Sequence, residues 1–110
     1  MVTAGIAMVI GGIVLIVLGA LARAGRLTRQ SVVGLRTEAT MASDEAWNAA
    51  HFAGASWVIG AGVVLLIGGF AVMLTESETA GGIVALGAVA LMLIPLTIGF
   101  QRGQAAARSV

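Results

Sequence analysis

The chain contains no cysteine and no lysine, and few of its residues are charged. Without cysteine it cannot form disulfides, thiolate nucleophiles or cysteine metal sites. Soluble domains carry about 25% charged residues, so a charged fraction of 10% excludes an ordinary soluble domain. A net charge of +1 excludes the dense basic face that nucleic-acid binding requires. A single proline beside 59% hydrophobic residues excludes a Pro/Gly-rich disordered chain.

Long apolar runs are what the chain does have, at residues 2–22, 53–74 and 80–100. Each has the length of about 20 residues that crosses a bilayer core as a helix. The sequence therefore predicts an all-α membrane protein, in which residues 1–110 form a single membrane domain with three transmembrane helices. Residues 23–52 form a polar loop. The first run lacks the basic residues that begin a signal peptide, so we expect it to be retained as a helix.

Ionisable residues are absent from the interior of all three runs. Such residues mark proton relays and ion paths, so their absence disfavours a coupled transporter or ion channel built from this chain alone. Glycine is frequent instead, and small residues let membrane helices approach closely. Gly81 and Ala85 have the small-xxx-small spacing, but generic three-helix packing is the favoured interpretation. We expect Pro95 to kink the third span.

The arginines predict the orientation in the membrane. All of them follow the first or the third run: Arg23, Arg26, Arg29, Arg36, Arg102 and Arg108. The only charged residues in the turn between the second and third runs are Glu76 and Glu78. Since arginine is enriched on the cytoplasmic side, we expect the N-terminus outside and the loop and C-terminus in the cytoplasm, at the plasma membrane. The basic stretch after the first run should touch membrane lipids.

A short helix is predicted within the polar loop. Ser43 is a good N-cap, and Asp44 and Glu45 follow in the first turn, where the helix dipole favours acidic residues. Ser43, Trp47 and His51 recur at steps of four and therefore share one helix face. We expect an interfacial helix that continues into the second span, with the Trp47 and His51 rings at headgroup level.

Catalytic and metal-binding interpretations both lack partners. Ser43 and His51 are separated by about 12 Å along a helix, too far for a nucleophile–base pair. One histidine and no cysteine are too few ligands for a metal site. We therefore expect no enzymatic activity, no cofactor and no metal. Two roles remain open for the polar residues from Arg36 to Ser43. They form a structural brace whose polar groups hydrogen-bond one another and the helix terminus, or they form a functional site.

The same segment resembles the SdpI family, bacterial integral membrane proteins named after an immunity protein against a secreted peptide toxin. The family's hallmark is a G-[IVFL]-R-T segment, a further threonine, a serine or asparagine, a tryptophan and a histidine before a transmembrane helix. The matching residues, which form the candidate functional motif, are Gly34, Arg36, Thr37, Thr40, Ser43, Trp47 and His51.

Three positions depart from the family pattern. Gln30-Ser31 stands where an asparagine is common, Glu38-Ala39 replaces a proline and a bulky residue, and Phe52 replaces a basic residue. The chain is similar to the C-terminal half of the immunity protein. The resemblance implies immunity to a membrane-active peptide toxin, or a signal relay through a cytoplasmic regulator. The alternative is an accessory or structural subunit packed against another membrane subunit.

Overall fold

Helices make up nearly all of the computed structural model, which describes residues 1–26 and 37–110. The elements in chain order are α1 (Val2–Arg23), α2 (Glu38–Met41), α3 (Asp44–Met73) and α4 (Glu78–Arg108). The three long helices are each long and apolar enough to cross a membrane. No strand occurs within the described ranges. The predicted all-α membrane fold with three transmembrane helices is confirmed.

Local sequence explains where α1 ends. Gly25 adopts a φ of +72°, a left-handed conformation that glycine tolerates without steric cost. The Arg26 N–H donates to the Leu21 carbonyl at 2.9 Å, and the Gly25 N–H donates to the Ala22 carbonyl at 3.2 Å. This pair of hydrogen bonds is a Schellman motif, which satisfies carbonyls that the helix end would otherwise leave unpaired. The chain therefore turns sharply away from α1 at Gly25.

Serine side chains begin both of the other long helices. The Ser43 hydroxyl accepts from the Ala46 N–H at 3.0 Å, and the Ser77 hydroxyl accepts from the Ala80 N–H at 3.1 Å. From Ser43, α3 continues without a break into the second apolar run, as the sequence predicted. α4 stays helical through Pro95 and extends beyond the predicted span to Arg108.

α3 lies between the other two long helices and packs along both, whereas α1 and α4 make few direct contacts. Small residues at steps of seven form the contact between α1 and α3, which run antiparallel. The facing pairs, which we call the glycine seam, are Gly5 with Gly69, Gly12 with Gly62, and Gly19 with Ala55. A Cβ atom added at Gly12 would lie 2.7 Å from the Gly62 carbonyl oxygen. The two backbones are therefore in direct contact, which small residues permit.

The contact between α3 and α4 is also close, where Gly54 faces Gly99 and where Gly68 faces Ala88. A Cβ atom on Gly54 would lie 3.1 Å from the Gly99 carbonyl oxygen. Gly81, which the sequence placed in a small-xxx-small pattern, instead lies against Met1 and Thr75. Its spacing with Ala85 therefore does not mark a second seam within the chain.

Charged residues of the described ranges sort to the two ends of the bundle. The C-terminal ends of α1 and α4, with their arginines, lie at the same end as α2 and the start of α3. Glu76 and Glu78 lie at the opposite end, in the turn between α3 and α4. We call the first of these the arginine end.

Candidate functional site

Two threonines close the start of α2 by bonding reciprocally. The Thr37 N–H donates to the Thr40 hydroxyl at 2.9 Å, and the Thr40 N–H donates to the Thr37 hydroxyl at 3.3 Å. The Thr40 hydroxyl in turn donates to the Thr37 carbonyl at 3.1 Å. Thr40 is fully buried. Each hydroxyl thus satisfies backbone groups that a four-residue helix exposes at its first turn.

Gln104 connects this turn to α4. Its side-chain amide donates to the Thr37 hydroxyl at 2.8 Å, across 67 positions of sequence. Gln104 is buried, and its neighbours Gly103 and Ala107 on α4 are buried as well. Sequence reasoning missed Gln104 because it ended the third span at Phe100. The signal was the small residues at Gly99, Gly103 and Ala107, whose four-residue spacing continues one helix face past the apolar run.

Ser43 acts separately from the threonine pair. Its hydroxyl caps α3 by accepting from Ala46, and the position that would complete a capping box is that alanine. The sequence interpretation that the polar residues satisfy one another therefore describes Thr37 and Thr40, while Ser43 satisfies the helix terminus. Gly34 and Arg36, the remaining two residues at the start of the candidate motif, lie outside the described residues.

Trp47 and His51 stack on each other one turn apart, as their spacing predicts. Their ring centroids are 4.0 Å apart with an interplanar angle of 29°. His51 Nδ1 lies 2.8 Å from the Trp47 carbonyl oxygen. Because a carbonyl can only accept, Nδ1 carries the proton and donates it. The ring is therefore fixed both by stacking and by a hydrogen bond to its own helix.

Trp47 is 0% exposed, so its ring lies inside the bundle. It contacts Ala22 and Ala55, and Leu18 and Met41 pack around the same cluster. The Trp47 ring is therefore shielded from lipid by the bundle itself, while the depth expected for Trp47 and His51, at headgroup level, stays a prediction. The small residues Ala22 and Ala55 leave space between α1 and α3 for the indole, which the pattern along one helix could not show.

A half-enclosed cavity of about 180 Å³ lies beside this pair, between α1, α3 and α4. Its wall consists of aliphatic and aromatic side chains such as Leu18, Val58 and Phe100, together with the backbones of Gly19, Gly54 and Gly99. Within the described residues, His51 supplies its one polar side chain. The cavity lies where α1 and α4, which make few direct contacts with each other, both pack against α3. Its chemistry suits an alkyl group and not an ion.

On the outer flank of the bundle, Trp57 and Arg102 form a second aromatic contact. The guanidinium carbon of Arg102 lies 5.7 Å from the centroid of the Trp57 ring, within cation–π range. This contact ties α4 to α3 at the arginine end, outside the candidate motif. In the described part of the chain, no three acidic, cysteine or histidine residues come together as metal ligands would.

Comparison with known proteins bears directly on these residues. The model of the SdpI/YfhL protein family matches residues 26–99, more than half of the chain. The chain belongs to the SdpI/YfhL family. No curated protein and no solved structure matches it. The family match confirms the resemblance read from the sequence and includes the whole candidate motif.

The SdpI/YfhL match covers only part of the site. Its matched range contains α2, α3 and most of α4, whereas α1 and Gln104 lie outside it. Yet α1 provides Ala22 and Leu18 against Trp47, and Gln104 holds Thr37. In this SdpI/YfhL family member, the matched residues are thus supported from both sides by residues that the family pattern does not specify.

The bridge between Gln104 and Thr37 predicts energetic coupling between α4 and α2. We expect Gln104→Leu and Thr37→Val each to lower the free energy of unfolding, and the double variant to lose less than their sum by about 1 kcal/mol. Unfolding in detergent micelles, followed by circular dichroism, measures all three. Gln101→Leu is the matched control, because Gln101 is exposed on the same helix and should change stability by less than about 0.5 kcal/mol. Strict additivity of the two variants would contradict the bridge.

Proposed function

We propose that this SdpI/YfhL family member protects a bacterial cell against a membrane-active peptide toxin, or relays the presence of that toxin. The observation that carries the proposal is the family match, which covers the complete candidate motif. The proposed ligand is the toxin peptide, and the proposed second partner is a cytoplasmic regulator. We propose no enzymatic activity, since Ser43 caps a helix and His51 Nδ1 is held by a carbonyl.

The geometry supports a relay because the motif touches every helix. Thr37 is held by α4, Trp47 is packed against α1, and His51 lines the cavity between the three long helices. An apolar side chain of a membrane-embedded peptide that entered this cavity would contact His51. A change in helix packing there would alter the contacts of α2, at the arginine end. These contacts give a physical route from the bilayer to a regulator bound outside it.

The charge distribution supports the proposed placement at the plasma membrane, with the N-terminus outside and the C-terminus in the cytoplasm. Arg23, Arg26, Arg102 and Arg108 share one end of the bundle, and Glu76 and Glu78 lie at the other. Arginine-rich ends face the cytoplasm in most membrane proteins. A regulator would then meet α2 on the cytoplasmic side.

Sensitivity to peptides tests the proposal. We expect cells that express the chain to survive a membrane-active peptide that kills cells without it, and Arg36→Ala to abolish this protection. Killing curves over a panel of such peptides measure the effect. Arg108→Ala is the matched control, because it also removes an arginine, one that is exposed at the end of α4 and lies outside the motif. Membrane levels of both variants are measured by immunoblotting, so that loss of protein is separated from loss of protection. Killing curves that are the same with and without the chain, for every peptide tested, would refute the proposal.

An accessory or structural subunit is the second candidate function, and one feature favours it. Gly82 and Gly87 on α4 face open space, with nothing within 4 Å of an added Cβ atom. Small residues commonly mark close contacts between membrane helices. Another membrane subunit would pack against this part of α4. Stoichiometric co-purification of that subunit in mild detergent would favour this function over immunity.

A further inference from the structure

The apolar cavity beside His51 is elongated along the helices. On α1 its wall extends from Leu15 to Ala22, and on α3 from Ala50 to Val58. At about 1.5 Å per residue, these stretches are about 10 and 12 Å long. Because α1 and α3 run antiparallel along each other, the cavity follows their axes and has the shape of a slot, not of a round pocket.

The open side of the cavity lies at the depth of the hydrocarbon core. Every residue that α1 and α4 contribute to its wall belongs to the apolar runs 2–22 and 80–100. These two helices make few direct contacts with each other, and Phe100 on the rim is 45% exposed. The medium around a transmembrane helix at this depth is lipid hydrocarbon. The gap between α1 and α4 therefore opens toward acyl chains.

The size of the cavity suits part of one acyl chain. Its volume of about 180 Å³ is comparable to that of apolar cavities of roughly 150 Å³ that stay free of water and take up benzene. Lipid is as apolar as the cavity wall, so the hydrophobic effect does not drive an acyl chain inward. The driving force is the dispersion contact that an empty void forfeits. One leaflet of the core is about 15 Å thick, so the cavity covers most of the length of one acyl chain.

We propose that an acyl chain of a membrane lipid occupies this cavity while no peptide is bound there. The acyl chain lies between Leu18 and Val58, with Phe100 at the rim, and its headgroup end is nearest to His51, toward the arginine end. Within the described residues no charged side chain lines the cavity, so the site recognises the acyl chain and not the headgroup. The inference does not depend on immunity, although a peptide side chain that entered the cavity would have to displace the lipid.

Trp47 can report on the cavity from behind its wall. Its ring is 0% exposed, so lipid outside the bundle cannot touch it. The residues that it contacts nevertheless line the cavity: Ala22, Ala55 and His51. Bromine atoms on an acyl chain quench tryptophan fluorescence at short range, and an acyl chain in the cavity brings them close to the indole.

A variant with a single tryptophan isolates this signal. Trp57→Phe leaves Trp47 as the only tryptophan and keeps the Cβ atom that lies next to Gly99. The protein is reconstituted in phosphatidylcholine vesicles whose acyl chains carry bromine either in the half near the headgroup or close to the terminal methyl. We expect the first lipid to quench Trp47 more strongly, because the cavity lies in the part of the span nearest to the arginine end.

Two substitutions that fill the cavity decide whether the acyl chain is inside it. Val58→Phe and Leu96→Phe place an additional ring in the cavity from α3 and from α4, and each should remove most of the quenching. Val63→Phe is the matched control, because Val63 is 40% exposed on α3 and does not line the cavity. It should leave the quenching unchanged. Circular dichroism shows whether each variant is folded.

Two results would overturn the proposal. Quenching that neither filling variant reduces would place the acyl chain outside the bundle. Trp47 fluorescence that brominated lipid leaves unquenched would show a cavity that is empty or covered by a protein helix. The vesicles contain no peptide, so the outcome is separate from the killing curves: loss of the immunity function would leave the lipid site in place, and the reverse also holds.

Discussion

Gly12→Ala is expected to lower the free energy of unfolding by about 2 to 3 kcal/mol, although it adds only one methyl group. The new Cβ atom would lie 2.7 Å from the Gly62 carbonyl oxygen and 2.7 Å from the Leu66 nitrogen. Both are backbone atoms, so no side chain can rotate away, and α1 must separate from α3. Unfolding in detergent micelles, followed by the loss of helical circular dichroism, measures the change.

Gly87→Ala is the matched control for this experiment. Gly87 is exposed on α4, and nothing lies within 4 Å of an added Cβ atom. Alanine favours a helix over glycine by up to about 1 kcal/mol in water, so this variant should be neutral or slightly more stable. Opposite signs for the two substitutions support the glycine seam. Equal effects would show that α1 and α3 are not in backbone contact.

Trp47→Ala is expected to destabilise the bundle by about 3 to 5 kcal/mol, the range for removal of a fully buried tryptophan ring. The indole fills the space between Ala22 and Ala55, which are too small to close the resulting void, and it stacks on His51. Trp47→Phe should cost less, because a smaller ring still occupies that space. The same unfolding measurement in micelles gives both values.

Trp57→Ala provides the comparison for Trp47. Trp57 is only half-buried; it lies against Gly99 on α4, and the Arg102 guanidinium is 5.7 Å from its ring centroid. An exposed cation–π contact of this kind is worth about 0.5 to 1 kcal/mol, so Trp57→Ala should be much the milder change. If the two alanine variants were equally unstable, the core position of Trp47 would be contradicted.

Most of the fold was accessible from the sequence because the bilayer imposes it. Apolar runs long enough to span the hydrocarbon core must be helical, since lipid offers no hydrogen bonds to the backbone. The start of α3 was equally accessible, because Ser43, Asp44 and Glu45 follow local rules for helix N-termini. The pairing of Trp47 with His51 follows from helical spacing alone.

The way in which the helices pack against one another could not be predicted from the sequence. Both the core-facing and the lipid-facing sides of a membrane helix are apolar, so hydrophobic periodicity does not tell which side packs inward. The burial of Trp47 depends on Ala22, which comes from another helix. The bond from Gln104 to Thr37 likewise joins residues 67 positions apart in sequence, on α4 and at the start of α2. The seven-residue repeat of Gly5, Gly12 and Gly19 was visible in the sequence, as was the matching repeat in α3, and both were signs of the seam.

Because of that repeat, the glycine seam alone is compatible with more than one alignment of α1 along α3. If α1 slid along α3 by seven residues, about 10 Å, two of its three small-residue pairs would form again with shifted partners. The seam therefore holds α1 and α3 together without fixing the alignment of one helix along the other. Trp47 removes the ambiguity, because only one alignment brings Ala22 opposite its ring. The polar end of the bundle thus sets the helix alignment for the apolar part, much as a single asparagine sets the alignment of a coiled coil.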